Sequence, residues 1–198
     1  MRAVNVLLFE GFTTMDALGP AEALSRALDD GRKCYEIEYF SATGGLVGSS
    51  TNAKIWTRKL SEITKFDILL VPGGFAAREL VYEGEFIAAL GELSRRHEYV
   101  IAVCTGSVLL AKTGLLDGME ATSNKLSWQW ATSEVPSVRW VRAARWCVSG
   151  KFYTGSGVSA GIDEALGFIA DMHGQDEARR IARTMEYVWN SDKNADLF

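Results

Sequence analysis

The sequence predicts a doubly wound α/β sandwich, a mostly parallel central sheet with helices on both faces. Short, largely apolar runs, at Ala3–Phe9, Ile68–Val71 and Val100–Val103, suit strands covered on both sides. Stretches with apolar residues at helical spacing separate them, the alternation that builds parallel sheets. The strand-like runs also end in glycine-rich or polar loops, and ligands bind at that end of such sheets.

Taken in order, Ala3–Phe9 is the first strand, and the loop Gly11–Asp16 leaves it. Leu18, Ala21, Leu24, Ala27 and Leu28 mark a crossover helix, with Pro20 placed in its first turn. Tyr35–Ser41 reads as the second strand and Gly44–Ile55 as a hairpin or irregular excursion. Ile68–Val71 closes on Pro72-Gly73-Gly74, whose backbone N–H groups are free to approach a ligand. Phe86–Leu93 forms a helix before the central strand at Val100. Val108, Leu109 and Leu110 belong to the helix after it, with Ser107 as a possible cap. A turn follows at Gly114–Gly118, then a short strand at Ala121-Thr122 and a short helix carrying Trp128 and Trp130. Val138–Val148 and Phe152–Thr154 read as a hairpin around Ser149-Gly150. A second glycine-rich loop, Gly155–Gly161, opens a helix marked by Ile162, Ala165, Leu166, Ile169 and Met172. Ala178, Ile181, Ala182, Met185 and Val188 mark the last helix. No linker divides residues 1–198, so one domain is expected.

The composition, 47% hydrophobic and 23% charged, is that of a globular domain with a sizeable core. With 21 basic against 25 acidic residues, the net charge of −4 argues against nucleic-acid or membrane-surface partners. Arg139, Arg142 and Arg145 read as a solvated strand face. The chain opens into an apolar strand without a signal-peptide pattern, and no apolar run approaches the ~20 residues that span a bilayer. A cytoplasmic location is the expectation. The three cysteines, Cys34, Cys104 and Cys147, show neither a disulfide framework nor metal-ligand spacing. Cys34 and Cys147 are taken as structural. No metal or cofactor is expected, since Gly155-Ser156-Gly157 lacks the spacing and acidic partner of a dinucleotide fingerprint.

The chemistry centres on Tyr99–Ala111, where an apolar strand stops at Cys104 and a helix begins. A sulfur at a helix N-terminus meets free amides and the positive end of the macrodipole, which favour a thiolate. A buried cysteine acting as a small core hydrophobe is the alternative. Four loops, Gly11–Asp16, Gly73–Ala76, Cys104–Gly106 and Gly155–Gly161, should converge at the carboxyl ends of the strands, which favours the nucleophile. Gly73, Gly74, Phe75 and Gly157 are the candidate substrate- or oxyanion-binding residues on those loops. Both histidines are badly placed to shuttle protons. His97 precedes the central strand and lies on the order of 20 Å away, and His173 closes a helix roughly 18 Å long from the site. Asp16 is left as the proton-handling candidate, with a helix N-cap as its alternative role. A carboxyl beside a thiolate should have its pKa raised.

The chain resembles the ThiJ/PfpI superfamily, the class I glutamine amidotransferase-like fold with flavodoxin-like architecture, along nearly its whole length. The resemblance rests on Met-Asp-Ala-Leu-Gly-Pro around Asp16, Val-Pro-Gly-Gly at Val71–Gly74 and Ala-Val-Cys-Thr-Gly-Ser around Cys104. Gly-Leu-Leu-Asp-Gly at Gly114–Gly118 and Gly-Val-Ser-Ala-Gly-Ile-Asp at Gly157–Asp163 add to it. It is most similar to the isonitrile hydratase branch, where the acid is aspartate rather than glutamate. The resemblance implies a nucleophile at Cys104, an acid partner at Asp16, Thr105 beside the nucleophile, and charge-stabilising amides around Gly74 and Thr105. Peptidase-like members carry histidine where Thr105 stands. Isonitrile hydratases often read Ala-Thr-Thr-His where this chain has Ala121-Thr122-Ser123-Asn124, and their tail is longer. The same domain occurs in regulators fused to a helix-turn-helix module, which this chain, ending at Phe198, is expected to lack.

Three functions follow from these residues. The first is a cysteine-dependent hydratase or lyase of a small electrophile. The second is a glyoxalase or deglycase acting on reactive aldehydes, and the third a non-enzymatic thiol sensor. A small-molecule substrate is expected. So is a homodimer, from the resemblance and from Trp56, Trp140 and Trp146 on edge or hairpin segments.

Overall fold

The computed structural model describes residues 1–198. Its chain order is β1 (Arg2–Leu7), α1 (Thr14–Ser25), β2 (Leu28–Asp29), β3 (Arg32–Lys33), β4 (Tyr35–Ser41), β5 (Gly45–Gly48) and β6 (Lys54–Lys59). There follow β7 (Ile68–Val71), α2 (Ala77–Leu80), α3 (Gly84–Arg96), β8 (Tyr99–Val103), α4 (Gly106–Lys112), β9 (Glu120–Ala121) and α5 (Trp128–Glu134). The chain ends with β10 (Arg139–Trp140), β11 (Trp146–Ser149), β12 (Phe152–Gly155), α6 (Ala160–His173) and α7 (Gln175–Thr184).

The main sheet runs β11-β12-β8-β7-β1-β4-β6-β5. From β12 through β6 every pairing is parallel, and only the edge strands β11 and β5 are antiparallel. The strands at the centre are apolar on both sides, and the contacts explain why. Helices α1, α6 and α7 pack together in one layer, while α2, α3, α4 and α5 are linked in the other. Every residue of β7 and Val100–Val103 of β8 is buried. This is the α/β sandwich the sequence predicts. No helix is long and apolar enough to cross a membrane.

Several local expectations change. Val138–Val148 is not one arm of a hairpin: Arg139 and Trp140 pair in parallel with Glu120 and Ala121, and only Trp146–Ser149 pairs with β12. Pro20 lies in the second turn of α1, because the helix starts at Thr14. The last helix stops at Thr184, leaving Val188 92% exposed beyond it. Arg145 is not on a solvated face. It is 7% exposed, and its guanidinium pairs with Asp163 at 2.8 Å and with Asp196 at 3.4 Å. Tyr187 Oη and the Asn190 amide donate to the other Asp163 oxygen, so this ion pair fastens the C-terminal segment behind α6. Trp146 is buried, its ring lying where a side chain at Gly167 would stand, so it contributes nothing to a dimer surface; Trp56 is 70% exposed.

Both histidines are structural. His97 is buried, its Nδ1–H donating to the Leu93 carbonyl at 2.7 Å while Nε2 accepts from Asn5 Nδ2 at 2.9 Å. Burial holds its pKa down at about 4. His173 bonds the Tyr35 hydroxyl at 2.7 Å.

The core also holds an acid the sequence reading passes over. Glu164 is fully buried on α6, neither carboxyl oxygen has a hydrogen-bond partner, and the group lies where a Cβ at Gly155 would stand. Burial, and then the nearby Asp16, push its pKa well above the usual 4.5, so it is held neutral. The unfolded chain ionises Glu164 freely above that value, whereas the folded chain must keep the proton. This residue's contribution to stability is therefore complete at low pH and falls as pH rises past about 4.5. Glu164→Gln keeps the shape and removes the titration. Its melting temperature should gain on the parent protein between pH 5 and pH 8 by roughly 2–4 °C for each kcal/mol recovered. A difference that does not change with pH would mean that Glu164 is ionised in the fold.

Candidate active site

Cys104 ends β8 in a left-handed conformation, φ 59°, and α4 starts two residues later. A non-glycine residue there is strained by about 1–3 kcal/mol and persists only where its surroundings enforce it. Here they do. The Cys104 amide donates to the Gly155 and Ser156 carbonyls at 3.1 and 3.0 Å, and its carbonyl accepts from the Ser107 and Ser123 hydroxyls at 2.7 and 3.0 Å. Ser107 is thus a brace for the turn and not a helix cap.

The expected loops converge on this turn. Thr13 N–H donates to the Gly73 carbonyl at 2.8 Å, and Phe12 bridges to Gly74. The Thr105 hydroxyl accepts from the Gly74 amide at 2.9 Å and lies within reach of its carbonyl at 3.2 Å. A Cβ at Gly73 would stand 2.5 Å from Thr105 Oγ1 and 2.6 Å from its backbone nitrogen, so only glycine permits this approach.

Asp16 is not an N-cap. It is the third residue of α1 and fully buried, and its Oδ2 accepts the Gly73 amide at 3.1 Å. Its Oδ1 is buried with no well-aligned hydrogen bond, and the polar group that faces the carboxyl is the Cys104 thiol. Burial pushes the Asp16 carboxyl up to about 7, opposed by the Gly73 amide and by that thiol. Burial likewise raises Cys104, to about 12; the Asp16 charge adds to the rise, and the Thr105 and Val158 amides, directed at the sulfur, oppose it. The sequence-based expectation of an acidic thiol therefore fails. Desolvation outweighs the helix terminus, and between these two values the pair holds one proton and one negative charge.

Two further assignments need correction. The Gly73 and Gly74 amides are committed to Asp16 and Thr105, so neither is free to bind a developing oxyanion. The adjacent Phe75 amide has no acceptor within the chain. Phe75 itself is 88% exposed at the mouth, and Gly157 packs against the Asn124 side chain. Cys104 lines a cavity of about 220 Å³ together with the apolar Phe75, Leu126 and Val158 and the polar Arg78, Asn124 and Ser127. Sequence reasoning missed Arg78, Leu126 and Ser127 because none lies on the four loops. A larger hollow of about 620 Å³ near Phe9, Leu46 and Phe86 contains neither Cys104 nor Asp16, so the chemistry is not there. No group of three His, Cys, Asp or Glu side chains is arranged to hold a metal ion.

Alkylation of Cys104 by iodoacetamide should rise through an apparent pKa near 7, as the pair loses its first proton and Asp16 becomes a base for the thiol. In Asp16→Asn that step should vanish and the rise move up by at least about one pH unit. Identical pH profiles for the two proteins would show that the groups are uncoupled.

The DJ-1/PfpI family profile matches residues 2–171. Isonitrile hydratase of Pseudomonas putida is 28% identical over 188 residues, covering 93% of this chain and 78% of the hydratase. The HTH-type transcriptional regulator CdhR of Pseudomonas aeruginosa is 30% identical over 179 residues, 89% of this chain but 52% of the regulator, so this chain spans about half of that protein. A ThiJ/PfpI family protein from Pseudomonas syringae superposes with a TM-score of 0.82 at 25% identity, covering 94% of this chain and 75% of that one. Drosophila melanogaster DJ-1beta superposes at 0.80 over 95% of this chain and 99% of its own, at 21% identity, a likeness of fold alone. With its profile matched over most of its length and its cysteine set on the strand-to-helix turn described above, the chain belongs to the DJ-1/PfpI family.

Proposed function

We propose that this chain is a cysteine-dependent hydratase that converts a compact isocyanide to an N-substituted formamide. The observation that carries the reading is the pairing of the buried Asp16 with the Cys104 thiol, while both histidines are bound elsewhere. The similarity to an isonitrile hydratase supports it. As sulfur attacks the terminal carbon of the isocyanide, Asp16 takes the thiol proton and returns it to that carbon, leaving a covalent thioimidate. Water then adds to the same carbon, with Asp16 taking a proton from water and passing it to the imine nitrogen. The carbon–sulfur bond breaks, the hydroxyl proton returns through Asp16 to sulfur, and the formamide leaves. One carboxyl serves each transfer in both directions. The Thr105 and Val158 amides stabilise the departing thiolate, and the free Phe75 amide is a donor left open for the entering oxygen.

Formamide production from a panel of small isocyanides tests this. Cys104→Ala should abolish turnover, and Asp16→Asn should cost roughly 10²–10⁴-fold in kcat. Full activity in Asp16→Asn would overturn the mechanism. The regulator relatives favour a second reading, a thiol site that senses a small ligand. Consumption of methylglyoxal or peroxide, with every isocyanide left intact, would move the assignment to a deglycase or to that sensor.

A homodimer belongs to the same proposal, supported by the exposed Trp56 on a sheet-edge hairpin and by Phe75 and Leu126, exposed where they line the cavity. Light scattering at micromolar concentration should return twice the 21.7 kDa chain mass. The mass of a single chain would exclude it.

A further inference from the structure

We infer that Arg78 makes this site selective for an electrophile carrying a carboxylate close to its reacting carbon, an inference that rests on the hydratase reading for the identity of that electrophile. Of the ten residues lining the cavity over Cys104, Arg78 alone carries a charge. It makes no salt bridge with any acid of the chain. The guanidinium is nevertheless positioned. It stacks over the Trp130 ring, 4.6 Å from the centroid, and one Nη2–H reaches Ser127 Oγ at 3.4 Å. That single long contact leaves most of its five N–H donors unused, in a planar fork that matches a carboxylate.

Electrostatics point the same way. Above about pH 7, where the Cys104 and Asp16 pair has lost its first proton, the pair carries one negative charge, and that charge repels an anionic substrate. Asp16 is fully buried and absent from the cavity lining, where Arg78 is the one cation able to offset the repulsion. Phe75, Leu126 and Val158 line the same cavity and offer apolar contact to the rest of a small molecule. A cavity of about 220 Å³ is below the range typical of drug-sized ligands, which sets the substrate as compact. The substrate class is therefore a small α-isocyano carboxylate.

The test separates recognition from turnover. Iodoacetate and iodoacetamide deliver nearly the same carbon to Cys104, one with a carboxylate and one without. In Arg78→Gln the ratio of the iodoacetate to the iodoacetamide rate at Cys104 should fall by about tenfold, the loss of one charge-assisted contact at a partly exposed site. Arg78→Lys, which keeps the charge but not the fork, should fall between. The second arm compares kcat/KM for isocyanoacetate and methyl isocyanoacetate, and the acid-to-ester ratio should fall by a similar factor in Arg78→Gln. If both ratios stay within about twofold of the parent protein, the inference is overturned, whatever the absolute rates. If neither isocyanide is turned over while the alkylation ratio still falls, the hydratase reading fails and carboxylate recognition by Arg78 stands.

Discussion

The left-handed turn at Cys104 is the constraint around which the molecule is arranged. A chain leaving a fully covered central strand must reverse within two residues, and its amide and carbonyl need partners from other segments. Gly155, Ser156, Ser107 and Ser123 supply them, so β12, α4 and the loop after β9 are all tied to one residue. The Thr105 hydroxyl extends the tie to Gly74, and the Gly73 amide extends it to Asp16 on α1. The site is thus held by hydrogen bonds crossing five segments, each joining a backbone group to another backbone group or to a short, buried side chain.

That rigidity sets the electrostatics. A carboxyl and a thiol buried together cannot both ionise at moderate cost, and the fold offers them few compensating donors: one amide to the acid and two to the sulfur. The result is a shared proton and not a free thiolate. A nucleophile of this kind becomes reactive when an electrophile lets the proton move onto Asp16. Neutral Glu164 behind the pair keeps a second charge out of the same space.

Much of this was legible in the residues. Tyr35–Ser41 and Ile68–Val71 have the limits their residues predict, because Tyr35, Ile37 and Tyr39 alternate with Glu36 and Glu38 in the first and the second is apolar throughout. The convergence of Asp16 and Cys104 followed from topology alone, since both lie just beyond the carboxyl ends of parallel strands. What failed depended on distant partners. Val138–Val148 alternates like a strand, but Arg139 and Trp140 pair with Glu120 and Ala121, a contact no local pattern encodes. Arg145 looked solvated because its partners, Asp163 and Asp196, are far along the chain. The sign of the Cys104 shift was missed because a helix terminus is visible in sequence and burial is not. Glu164 did leave a signal, an acid inside the apolar face formed by Ile162, Ala165 and Leu166. Arg78, exposed on a four-residue helix, left none.

The contact between Gly155 and Glu164 has an evolutionary consequence. A side chain at position 155 and a glutamate at position 164 claim the same volume, so neither site can drift freely. A side chain at position 155 would have to push the Glu164 carboxyl aside or be matched by a shorter residue at 164, so substitutions at the two sites should be coupled.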